Sequence, residues 1–199
     1  EQVKILNESF NKTIKEAKFQ GEYFGVYPIK VNQLREVVEE ISDAGCDYNY
    51  GLEAGSKPEL MTVLAYNKNP KAITVLNGYK DKDYIRLALL GTQIGKKIII
   101  VVEKPSEIHH IIEVAQEVGI FPMIGVRAKL SSKAGGKWAD SSGDFAKFGL
   151  TVPEIMDLIN LLKARSFGDL GFAFYNENGE KIYLNLRLSD SIHFIKEKK

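Results

Sequence analysis

Residues 98–127 read IIIVVEKPSEIHHIIEVAQEVGIFPMIGVR, and one full repeat of the pattern that decides the fold lies within them. The apolar run Ile98 to Val102 has the length of a strand. A short polar turn follows, with Ser106 before Glu107 as an N-cap candidate. Ile108, Ile111, Ile112 and Ala115 then recur at helical spacing, and a new apolar run opens at Met123. Working outward, comparable runs begin near Tyr23, Tyr48 and Ile73, at intervals of about 25 residues, the length of one strand plus one helix. Strands alternating with helices at this pitch predict a parallel sheet, because parallel neighbours need a crossover and the crossover is usually a helix. Pitch alone leaves both an open doubly wound sheet and a closed barrel available.

Two further helices announce their starts. Ser56 with Glu59 (SKPE) and Thr151 with Glu154 (TVPE) have capping-box spacing, each with a proline in the first turn, where an amide lacks a partner anyway. Leu60, Val63 and Leu64 form one apolar stripe and Ile155, Leu158, Ile159 and Leu162 another; these read as core. Each cap follows a strand's carboxyl end, so the residues just before the caps line the face where α/β folds place their active sites. Lys30, Glu53, Asn77 and Glu103 fall on that face.

Lys30 stands in GEYFGVYPIKVNQ (21–33), where an apolar strand ends and a helix is about to begin. An amine delivered there is expected to be partly desolvated, which disfavours the ammonium and frees the amine to attack a carbonyl and form a Schiff base. On position alone, a lysine pointing into water is the better reading.

Two stretches break the rhythm. Residues 131–147, SSKAGGKWADSSGDFAK, exceed an ordinary βα connection and read equally as a lid or a mobile loop; Trp138 either closes over substrate or anchors the loop. From Phe167 onward GFAFYNENGEKIYLNLRL reads as two alternating strands joined at Asn176 to Gly179, a hairpin in place of a sixth βα unit.

Composition narrows the partners. The 199 residues suit one domain but fall short of the roughly 250 of a complete eight-stranded barrel. Twenty-seven basic against 26 acidic residues leave a net charge of +1, which gives no electrostatic footprint for nucleic acid or an anionic membrane and favours a small-molecule partner. Cys46 is the single cysteine, so an internal disulfide is excluded and a reducing, cytoplasmic setting is expected. No apolar run approaches the roughly 18 residues of a membrane span. The opening EQVKILNESF, without initiator methionine or signal-type segment, reads as a cut through a longer polypeptide. His109 and His110 are adjacent, on different helix faces, and make no i, i+4 metal pair. Gly135-Gly136 and Ser141-Ser142-Gly143 lack dinucleotide spacing, and the terminal KEKK reads as a solvated tail.

Taken together and in this order, YPIKVNQ (27–33), YNYGLEAGSKPEL (48–60), TVLNGYKDKDYI (74–85) and GVRAKL (125–130) followed by KFGLT (147–151) resemble the biosynthetic arginine decarboxylases, pyridoxal-phosphate enzymes with an alanine-racemase-type barrel. The resemblance runs from about residue 8 to residue 164. It implies a partial pyridoxal-phosphate-binding (β/α)8 TIM barrel of about five βα units over residues 1–165, with residues 166–199 as an unmatched hairpin-like tail. It also implies that Lys30 forms the Schiff base with pyridoxal 5'-phosphate, that Glu53 lies near the cofactor's imine, and that Arg127 lies beside the ring's phenolic oxygen. Magnesium is a second cofactor the family admits. A carboxylate near an iminium favours its protonated form, and a permanently charged, forked guanidinium holds an oxygen without joining proton transfers. Read without the family, Glu53 caps the next helix and Arg127 makes a structural ion pair.

The activity implied is decarboxylation of L-arginine to agmatine and carbon dioxide, in polyamine synthesis, by a parent enzyme that is a homo-oligomer. A related ornithine, lysine or diaminopimelate decarboxylase is the alternative within chemistry, and a truncated, non-catalytic remnant that binds cofactor or a partner is the alternative outside it. Three family features have no match: a histidine that stacks on the ring, a glycine-rich turn that holds the phosphate, and an acid that pairs with the pyridine nitrogen. His193 does not stand in the histidine motif. The family's carboxyl-terminal β domain and neighbouring-subunit residue are likewise unmatched, so the chain by itself is expected to have little decarboxylase activity.

Overall fold

The computed structural model describes residues 1–129, 149–164, 170–175 and 181–186. Helices α1 (Gln2–Glu16), α2 (Arg35–Ala44), α3 (Lys57–Tyr66), α4 (Lys82–Gln93), α5 (Glu107–Val118) and α6 (Val152–Ala164) are interleaved with strands β1 (Val26–Pro28), β2 (Gly51–Ala54), β3 (Ile73–Leu76), β4 (Lys97–Val102) and β5 (Met123–Arg127). Two further strands, β6 (Leu170–Tyr175) and β7 (Lys181–Leu186), follow α6. The alternation is the one the apolar runs predict. The first two strands start later than their runs, at Val26 and Gly51, and α1 is a helix that the rhythm does not announce.

The described residues form two compact units, Glu1–Leu76 with Leu90–Ile98, and Asn77–Leu89 with the residues from Ile99 onward. In the first unit β1, β2 and β3 pair in parallel, with Pro28 opposite Glu53 and Glu53 opposite Val75. Leu52, Ala54, Val75 and Leu76 are buried on these strands, and Leu60 and Val63 of α3 and Val38 of α2 are buried with them. Burial of each large aliphatic side chain contributes roughly 1.5–3 kcal/mol. At Gly51 the strand backbones approach so closely that an added Cβ would lie 2.0 Å from the carbonyl oxygen of Ile73.

In the second unit β4 and β5 pair in parallel, with Val101 opposite Gly125 and Val102 opposite Val126. Ile100, Val101 and Val102 are all buried, as a parallel strand covered on both faces requires. The expected stripe Ile108, Ile111, Ile112 and Ala115 is buried on α5, as are Ile155, Leu158 and Leu162 on α6. The hairpin reading needs one correction. β6 and β7 are antiparallel, as expected, but β6 also pairs in parallel with β5, from Ile124 opposite Leu170 to Arg127 opposite Ala173. The tail therefore begins in the position of a sixth strand, because α6 supplies the crossover a parallel neighbour needs. The loop 131–147 with Trp138, the turn Asn176 to Gly179, His193 and the terminal KEKK lie outside the described residues.

The caps divide. At Ser56 the side chain accepts from the Glu59 amide at 3.4 Å, and Glu59 reaches back to the Gly55 amide at 2.7 Å, a reciprocal box displaced by one residue. Ser106 makes no cap hydrogen bond; it has α-helical dihedrals, and the Glu107 carboxylate takes the amides of Glu103 and Lys104 instead. At α6 the Glu154 carboxylate accepts from the Thr151 amide at 2.7 Å and the Thr151 hydroxyl at 2.8 Å, and these bonds hold its pKa below the usual carboxylate range. A carboxyl depressed in the folded state stabilises above its unfolded value and loses that contribution as pH falls through the folded value. Glu154→Gln should therefore lower stability to urea at neutral pH by roughly 0.5–1 kcal/mol, discounted by solvent at this half-exposed site, and the difference should vanish in acid. An acid-independent difference would assign the effect to shape instead of charge.

Candidate functional site

Lys30 stands on a single 3-10 turn, Ile29–Val31, directly after β1. It is exposed, which agrees with the water-facing reading of its position and corrects the expectation of partial desolvation. The reason is local: β1 has only three residues, the chain coils at once, and Ile29 takes the inward direction at 1% exposure, so its neighbour faces out. Among the described residues no hydrogen bond or ion pair engages the Lys30 amine. The segment that carries it is held from both sides. Asn32 accepts the Leu34 amide at 3.0 Å in an Asx turn that opens α2, and its carbonyl receives the Tyr27 hydroxyl at 3.4 Å. Gln33 donates to Glu59 at 3.1 Å, which ties YPIKVNQ to the start of α3 in GLEAGSKPEL.

Glu53 lies in β2 and is buried at 5% exposure, and it has partners in the structure. Since Pro28 is its register partner, Lys30 and Glu53 sit at the same, carboxyl-terminal end of adjacent parallel strands. At the start of α3, Ser56 accepts from the Glu59 amide and Glu59 from the Gly55 amide.

Arg127 closes β5 in the second unit. Its Nη1 lies 3.1 Å from Oε1 of Glu103, which is 2% exposed, so the ion-pair reading of Arg127 is correct in itself. KFGLT returns to this place. Ala128 and Leu150 form a parallel bridge, the Leu150 amide donates to the Arg127 carbonyl at 2.7 Å, and the Gly149 amide donates to the Glu103 carbonyl at 3.0 Å. Gly149 adopts φ +96°, which favours glycine, and a Cβ there would press on the Arg127 carbonyl at 3.1 Å. Asn77 is buried just past β3 and also has partners.

Sequence reasoning missed two residues here. Lys80 is fully buried along its side chain. Its amine donates to the carbonyls of Gly78 and Val101, both at 2.5 Å, and lies 3.8 Å from the Glu107 carboxylate. Burial, the largest influence, pulls its pKa below the usual lysine value, and the Glu107 and Glu103 carboxylates oppose that shift. Glu107 in turn accepts the amides of Lys80 at 3.0 Å, Glu103 at 2.7 Å and Lys104 at 3.2 Å. A lysine inside NGYKD carries no sign of burial. For Glu107 the signal was an acid in a first turn, four residues after Glu103.

Cys46 is exposed, and no group of three or more His, Cys, Asp or Glu that could hold a metal ion occurs among the described residues. No helix among them is long and apolar enough to cross a membrane.

A family model for the pyridoxal binding domain of pyridoxal-dependent decarboxylases matches residues 5–171. The chain belongs to that family. The pyridoxal-dependent decarboxylase domain is 52% identical over 159 residues to the biosynthetic arginine decarboxylase of Gloeobacter violaceus, covering 80% of this chain and 25% of the relative. It is 44% identical over 180 residues to the protein of that name in Deinococcus radiodurans, covering 90% of this chain and 27% of the relative. The crystal structure of the Campylobacter jejuni biosynthetic arginine decarboxylase superposes with a TM-score of 0.73 at 38% identity, over 83% of this chain and 26% of that one. The crystal structure of a diaminopimelate decarboxylase from M. jannaschi shares the fold, with a TM-score of 0.62 at 23% identity over 87% of this chain and 39% of that one. The chain thus spans about a quarter of the length of the arginine decarboxylases it matches.

Within the first unit the chemistry of the donors suits a pyridoxal cofactor: Lys30 offers an accessible amine of the kind that condenses with an aldehyde, and Glu53 a buried carboxylate on the neighbouring strand.

Proposed function

We propose that this chain is the cofactor-binding part of a pyridoxal-phosphate-dependent arginine decarboxylase that converts L-arginine to agmatine and carbon dioxide. The observation that carries the reading is the accessible Lys30 amine at the carboxyl end of β1 beside buried Glu53 at the end of β2, in a domain of the pyridoxal-dependent decarboxylase family. Pyridoxal phosphate, when bound, supplies the electron sink for loss of the carboxylate.

Lys30 would hold the cofactor covalently through its aldehyde. Glu53 would favour a proton on the nearby nitrogen, because a carboxylate stabilises a neighbouring cation, and Arg127 would hold the phenolic oxygen without exchanging a proton. The relatives that are 52% and 44% identical to this chain are both named for arginine, which supports arginine over ornithine, lysine or diaminopimelate. Groups that grip the phosphate and the ring nitrogen in the family have no counterpart among the motifs here, so the 199-residue chain alone should turn over little.

The experiment is product analysis on a full-length enzyme that contains this sequence, offered the four amino acids in parallel. Agmatine should be the dominant amine product, and Glu53→Gln should slow turnover on the order of 10²-fold. Preference for ornithine, lysine or diaminopimelate would overturn the substrate assignment; cofactor binding with no carbon dioxide from any of them would favour a non-catalytic remnant.

A further inference from the structure

We propose that Lys80 and Glu107 form a positioning pair that sets Glu103, and through Glu103 the guanidinium of Arg127, in the place where the cofactor's oxygen is to be held. The inference rests on the functional reading above and adds residues to it.

Every polar atom of the pair is spent on backbone. The Lys80 amine bridges the carbonyls of Gly78 and Val101, so it joins the turn before α4 to β4. Glu107 Oε2 takes the amides of Glu103 and Lys104, and Oε1 takes the amide of Lys80. The Glu103 main chain is therefore gripped at its amide by Glu107 and at its carbonyl by Gly149, and from that fixed backbone its carboxylate reaches Arg127 at 3.1 Å. At 0% and 5% side-chain exposure, the pair is a costly device for stability alone. A buried ion pair can often be replaced by apolar residues without loss of stability, whereas an apolar pair would leave the amides of Lys80, Glu103 and Lys104 without acceptors. Placement of backbone is what the charges supply here.

That distinction gives the test. The double variant Lys80→Met/Glu107→Leu removes both charges and keeps volume; Glu107→Gln keeps shape and serves if the double variant does not fold. In the full-length enzyme, either folded variant should show amide hydrogen exchange at Glu103 and Lys104 faster by about tenfold or more, weaker uptake of pyridoxal phosphate, and a shifted pH midpoint of the cofactor's absorbance. Lys80→Arg, which retains the charge, should recover part of the shift where it folds. Unchanged exchange at Glu103 and Lys104, or faster exchange with cofactor affinity and pH midpoint as in wild type, would overturn the proposal. Lys30→Ala in the same series separates the two ideas: a wild-type cofactor band in that variant sinks the functional reading, while normal loss of the band with an unaffected pair variant sinks only the positioning role.

Discussion

Lys30→Ala is expected to abolish the near-visible absorbance band that forms when pyridoxal phosphate condenses with the chain. The amine is accessible and, among the described residues, unengaged, so removing it takes away the nucleophile without breaking an existing bond. The fold should be untouched, because the turn is anchored by buried Ile29 and by the contacts of Asn32 and Gln33, none of which involves the lysine side chain. Borohydride trapping followed by peptide mass analysis is the sharper measurement, since exposed lysines elsewhere can condense weakly with an aldehyde. The modified peptide should be the one that contains residue 30. Equal labelling of many lysines, or a band of wild-type height in the variant, would remove Lys30 from the mechanism.

The second large effect is on folding. Gly51→Ala should destabilise the chain by roughly 1–3 kcal/mol or prevent its folding, because the new methyl would meet the Ile73 carbonyl oxygen at 2.0 Å and its carbon at 3.0 Å. Both are backbone atoms of the paired strand β3 and cannot swing aside as a side-chain tip would. Gly55→Ala is the matched control: its nearest neighbour would be a Glu59 carboxylate oxygen at 3.5 Å, an ordinary contact. Urea unfolding of the two variants should separate them widely. Similar midpoints would mean that β2 and β3 can part without cost, against the register Leu52–Thr74 and Glu53–Val75.

The two predictions bear on one region from opposite sides. Gly51 opens the strand that carries Glu53, and Lys30 follows the strand whose Pro28 is the register partner of Glu53. Their consequences should nevertheless be separable, since Lys30→Ala changes chemistry at constant stability and Gly51→Ala changes stability at constant chemistry.

Much of this was legible in the sequence. Apolar runs at a constant interval, the Ser56–Glu59 box and the stripes on α3, α5 and α6 were enough for strands, helices and their parallel pairing, because each depends on contacts within a few residues and on a periodicity the chain displays directly. The functional end of the strands was legible for the same reason: caps mark where strands have just ended. Other features had no local signature. Ser106 looked like a cap and makes no cap hydrogen bond, since its backbone is already helical, and the neighbouring Glu107 turns back to the amides of Glu103 and Lys104. Lys30 is exposed, as its position alone suggested and against the shelter expected of a Schiff-base amine, since a three-residue strand gave way to a tight turn that sent Ile29 inward. The hairpin strand β6 looked detached from the sheet and pairs with β5.

The amino-acid sequence by itself determined the alternating elements, the helix starts at Ser56 and Thr151 and the motifs by which the chain resembles its family. Only the tertiary structure decided that Lys80 is buried against Val101, that Glu107 holds the amide of Glu103, and that Gly149 and Leu150 return to Glu103 and Arg127. The physical reason is range. A cap or an amphipathic stripe is written in residues three or four apart, whereas the partners of a buried charge are chosen by strand register and by which turns the fold brings together.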